Sequence, residues 1–71
     1  MATLCRIAQD IERARTVLKT AQYASSVQKE LDRLAVRMTD DSLWLIELDE
    51  LRDWYGILVA RRDWLLVDED L

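Results

Sequence analysis

The sequence contains no proline, no histidine and no phenylalanine, and only one glycine (Gly56) and one cysteine (Cys5). With almost nothing to punctuate it into turns and strands, the chain is expected to form long helices with short connections. A single cysteine excludes an internal disulfide framework and suits a reducing, cytoplasmic setting. The absence of histidine removes His-based zinc sites, Glu-x-x-His di-iron ligation and the commonest general base. Cys5 therefore has no histidine to activate it as a nucleophile, and it falls off the main apolar stripe of its segment. No basic-then-apolar leader opens the chain, and no apolar run approaches the roughly 18 residues that suggest a membrane span. What remains is one helical domain over residues 1–71, non-enzymatic, with no cofactor or metal expected.

What the chain does have is apolar and charged side chains in helical order. Of its 71 residues 51% are hydrophobic and 34% charged, at a length where a single core is only marginally sufficient. The organising stretch is 42–67, which holds all three tryptophans. At 100° per residue it shows two apolar stripes. Trp44, Leu48, Leu51, Trp54, Tyr55, Leu58 and Leu65 form the broad one. Ile46, Ile57, Ala60 and Trp64 form a narrower one well round the cylinder. Charged pairs such as Asp49-Glu50 and Arg61-Arg62 break strand alternation. A helix apolar on two sides must be covered twice, and Gly56 suggests close approach by another helix.

The segment before it, residues 3–38, favours helix throughout, with Thr3 as a plausible cap. Leu4, Ile7, Ile11, Ala14, Leu18 and Ala21 step by three and four; Ala24, Val27, Leu31, Leu34 and Met38 do the same on a face swung by well over 90°. With no glycine or proline at the seam, the expectation is one unbroken helix. A break near 23–25, with Ser25 and Gln28 as a capping box, is the alternative and would give a monomeric three-helix bundle. Residues 39–42 (Thr-Asp-Asp-Ser) read as a turn in which Asp40, Asp41 or Ser42 caps the next helix. The expected fold is thus an all-α antiparallel hairpin, helix 3–38, turn 39–42 and helix 42–67, self-associating into a bundle. Residues 68–71 read as a mobile acidic tail, because carboxylates oppose a helix C-terminus.

Charge is unevenly divided. Residues 1–38 carry seven basic and four acidic side chains, net +3; residues 39–71 carry three and ten, net −7, together the −4 of the chain. On an unbroken first helix, Arg15, Lys19, Lys29, Arg33 and Arg37 fall on one side, a ridge that could follow a phosphate backbone. No aromatic residue interleaves with it, and the acidic total opposes nucleic acid. Glu47, Glu50 and Asp53 are spaced for a divalent metal, but no second acidic motif supplies further oxygen ligands. The run 48–52 together with 58–62 resembles the first helix of the all-α dimeric chorismate mutases over a short stretch. That resemblance implies an all-α dimer, and too little sequence follows to complete that family's fold.

The functional expectation rests on surfaces. Trp, Tyr and Arg are the residue types enriched at binding hot spots. The chain is expected to be a small protein-interaction module, homodimeric through Ile46 and Ile57, binding another protein through Trp64, Arg61 and Ala60. A nucleic-acid-binding dimer using the basic ridge is the second expectation, and a metal-dependent helical enzyme a distant third.

Overall fold

Three helices follow one another along the chain, α1 (Ala8–Thr20), α2 (Ala24–Met38) and α3 (Leu45–Asp70), with no strand among the described residues. The computed structural model describes residues 7–70, and side chains over 7–67. Thr3, Leu4, Cys5 and Leu71 lie outside the described residues.

The unbroken helix expected over 3–38 is corrected to two helices. The chain turns extended at Ala21 (φ −67°, ψ 129°) and re-enters helix after Tyr23 (φ −127°, ψ 142°). The two out-of-phase stripes explain why. One straight rod could turn only one of them onto α3, whereas folding back at 21–23 lets both reach it. Ile7 and Ala14, then Ala24, Val27, Leu31 and Leu34, are buried. Ile11, Leu18, Ala21 and Met38 pack against that core. No link residue has positive φ, so neither glycine nor proline is needed to make the turn. The capping box expected at Ser25 is not used: α2 starts from Tyr23 without a side-chain cap. Gln28 instead donates to Asp32 and accepts from Arg62 of α3, both on the order of an ordinary hydrogen bond at 2.9 and 2.8 Å.

The second link also differs from expectation, spanning 39–44 rather than 39–42, so α3 begins beyond all three expected caps. Asp40 is engaged within the link, accepting from the Ser42 backbone N–H at 2.9 Å and its hydroxyl at 2.8 Å. Such an Asx turn competes directly with helix capping. The first turn of α3 is closed from inside, where Glu47 Oε1 accepts the Trp44 N–H at 2.8 Å. This is the return half of a capping box. At the other end helical backbone continues to Asp70, not 67. No glycine or proline stops it, and the expected tail begins as helix.

α2 runs antiparallel to its neighbours. Asp10 near the start of α1 pairs with Arg33 and Arg37 late in α2, and Gln28 early in α2 meets Arg62 late in α3. The 26-residue α3, about 39 Å long at 1.5 Å per residue, is the spine of a molecule measuring 44 × 19 × 15 Å. Its broad stripe supplies Leu51, Leu58 and Leu65 to the core, with Trp54, Tyr55 and Val59 partly buried beside them. Trp44 departs from that stripe and is exposed. It precedes the helix, so helical spacing does not place it. The hairpin expectation thus gives way to a three-helix bundle in which α1 and α2 cover one face of α3.

Candidate functional site: the outer face of α3

Covering α3 from one side leaves its second stripe bare. Ile46 is 55% exposed, Ile57 44% and Trp64 59%, with Ala60 exposed between them. Val67, 65% exposed, extends the line three residues past Trp64. Sequence reading missed it, although the spacing 57, 60, 64, 67 continues the same three-four rhythm. The residues expected to bind a partner (Trp64, Arg61, Ala60) and those expected to mediate self-association (Ile46, Ile57) therefore share one surface.

Gly56 borders this stripe. A Cβ built there meets nothing within 4 Å, so the close approach by another helix expected for it is not made by the described residues of its own chain. Its backbone is helical without positive φ. Glycine at this position costs roughly 1 kcal/mol of helix propensity relative to alanine, and nothing in the chain's own fold requires it.

Arg61 lies along the stripe, its guanidinium carbon 4.9 Å from the Trp64 ring centroid. The pair forms a cation–π contact that holds two long side chains in one arrangement. Arg61 Nε is buried with no hydrogen-bond partner among the described residues. Asp53 is exposed within the stripe, between Ile46 and Ile57, Asp49 and Asp63 are exposed beside it and Glu50 is half-buried, giving the apolar strip an acidic border and interruption.

The basic ridge is dismantled. Arg15 and Lys19 sit on α1 while Lys29, Arg33 and Arg37 sit on α2, which runs the other way. Arg33 and Arg37 grip the Asp10 carboxylate at 3.0 and 3.1 Å, and Arg37 also reaches Asp40 at 3.4 Å. Arg15 lies 3.6 Å from Glu12 and 6.0 Å from the Trp54 ring centroid. Phosphates would have to displace these partners. The Glu47, Glu50, Asp53 triad is dispersed too, because Glu47 turns fully inward to serve the helix end while Asp53 faces out. No group of three potential ligands that could hold a metal is found among the described residues. A groove of 390 Å³ lined by Ala24, Ser25, Gln28, Arg62 and Leu66 has its one charged group paired to Gln28 and Asp63.

A buried carboxylate that the sequence did not reveal is Glu30 on α2. Burial pushes its pKa up, and the charges of Arg33 and Arg13 only partly offset that, with Asp10 adding to the rise. Arg33 Nε lies 3.6 Å from one oxygen, and the other has no hydrogen-bond partner among the described residues. The folded state thus holds the Glu30 proton more tightly than the unfolded state does. Its contribution to stability falls as pH rises from the ordinary carboxylate range through the raised folded value, and the cost is fully present above that value. Glu30→Gln should therefore raise the melting temperature at pH 7, and the advantage should shrink on acidification through that window. Thermal melts of both proteins across the acidic range test this; an unchanged or lower melting temperature at pH 7 would mean that Arg33 outweighs burial.

Among the described residues no helix is long and apolar enough to cross a membrane. Set beside known proteins, the chain matches no family model, no curated protein and no solved structure. Its class is that of a small three-helix bundle with one uncovered apolar face.

Proposed function

We propose that this chain is a small non-enzymatic protein-interaction module, an adaptor, regulator or inhibitor of the cytosol, that works through the outer face of α3 and self-associates there. The observation that carries the reading is the stripe Ile46, Ile57, Ala60, Trp64 and Val67, left exposed on a helix whose opposite face completes the core. Isolated surface apolar residues are ordinary, but exposed apolar side chains clustered at 57, 60, 64 and 67 on one helix face, with Ile46 beyond Asp53, mark a contact surface. Tryptophan stacked with arginine is typical of the residues that dominate binding energy.

The test separates an interaction surface from a core. Trp64→Ala should change monomer stability by no more than about 0.5 kcal/mol, as for a surface substitution, while removing association with other chains. Melts of wild type and variant at two protein concentrations, beside affinity capture with each as bait, read both effects. A large loss of stability at every concentration would make Trp64 a core residue. Identical capture by wild type and variant would place the working surface elsewhere.

A further inference from the structure

We infer that the occupant of this face is a second copy of the chain, its α3 laid antiparallel so that Trp64 of each copy covers Ile46 of the other and Arg61 of each lies beside Glu50 of the other. The inference rests on the interaction reading of the face and names its partner.

The order of residues along the stripe supports this register. Ile46 opens the stripe and Trp64, its largest side chain, stands roughly 27 Å away along α3 at 1.5 Å per residue, with Val67 one turn beyond. An antiparallel copy centred near residue 55 sets Ile46 and Trp64 over each other and brings the two Ile57 side chains close to the two-fold axis. Such an interface is self-complementary and closes on itself as a dimer.

Flanking charge selects the direction. At 100° per residue Glu50 and Arg61 border the same flank of the stripe, one toward each end, while Asp49, Gly56 and Asp63 lie to its other side and Asp53 falls within it, between Ile46 and Ile57. Antiparallel packing sets like flanks together and so pairs Glu50 with Arg61 twice. Parallel packing sets unlike flanks together and turns Glu50 toward the aspartates. Arg61, whose guanidinium lies over the Trp64 ring at the edge of the stripe, would stand at that seam.

The small residues set the distance. Gly56 beside the stripe and Ala60 within it are one turn apart, with open space at Gly56, and this lets a second helix come close. The exposed apolar surface of Ile46, Ile57, Ala60, Trp64 and Val67 is on the order of 450 Å² per copy, a substantial patch for so small a molecule. With its flanks, burial on both copies reaches about 1,000 Å² in total, the lower bound for a specific interface.

Sedimentation equilibrium of the full chain from micromolar to millimolar concentration tests the inference. Wild type should be a monomer–dimer system, and Gly56→Leu should weaken the dimer by at least about tenfold by filling the approach site, with its helical circular dichroism retained. Glu50→Arg and Arg61→Glu should each weaken the dimer, and the two together should restore it, the result expected of reciprocal pairing. A wild-type chain that stays monomeric overturns the second copy as occupant. The interaction reading would then stand or fall separately, on whether Trp64→Ala loses capture of other proteins. Dimerisation indifferent to Gly56→Leu, or single charge reversals whose combination brings no recovery, would overturn the proposed face or its register.

Discussion

Leu58→Ala is expected to destabilise the chain by about 3–5 kcal/mol, the upper part of the range for a buried leucine whose surroundings cannot collapse. Leu58 is completely buried and belongs to the core cluster with Leu31, Leu34, Leu51 and Leu65. Such a loss compares with a total stability on the order of 4–10 kcal/mol for a domain this size, so the variant should be largely unfolded at physiological temperature. Its neighbour Ile57, about 100° round the helix and 44% exposed, provides the control. Ile57→Ala should barely alter the unfolding of the monomer and show its cost only where chains associate. Urea titrations followed by circular dichroism at two protein concentrations separate the two positions. Equal losses at 57 and 58 would contradict a helix with one face in the core and one outside it.

That contrast between adjacent residues was legible in the sequence, because helical spacing alone divides 57 from 58. The apolar stripes of α1 and α2 were legible for the same reason, and their phase swing already pointed to two different facings. What spacing could not reveal was how the chain would accommodate the swing. Ala21, Gln22 and Tyr23 leave the helix in conformations open to any residue, so the break carries no glycine or proline signature. The candidate face was visible as a stripe, but its division into self-association and partner residues was not. Whether Ile46, Ile57 and Trp64 lie bare together depends on which side α1 and α2 choose. For the same reason the close approach read at Gly56 could not be assigned to a particular helix. The buried acids were harder, since their charge describes Glu30 and Glu47 as surface. For Glu47 one signal existed: it stands three residues after Trp44, where a capping-box glutamate belongs.

Glu47 is the second position where a large effect is expected. Its carboxylate has no solvent exposure and accepts the Trp44 N–H at 2.8 Å, while the Trp44 carbonyl accepts the Leu48 N–H at 2.9 Å. The side chain therefore satisfies a backbone donor at the start of α3 and places negative charge at the positive end of the helix dipole. Glu47→Ala removes the acceptor, worth about 0.5–2 kcal/mol for a capping group, and leaves a void where buried methylenes packed, which together should cost roughly 2–3 kcal/mol. Glu47→Gln keeps an oxygen able to accept the same bond at nearly the same volume and should cost clearly less. Thermal melts rank the variants, and amide hydrogen exchange locates the damage. In Glu47→Ala the Trp44 and Leu48 amides should lose protection first, with those around Leu58 following only at global unfolding. If alanine and glutamine were equally damaging, the carboxylate charge would outweigh the hydrogen bond in holding α3 at its first turn. If both were neutral, the cap would contribute nothing and the link 39–44 alone would fix where the helix starts.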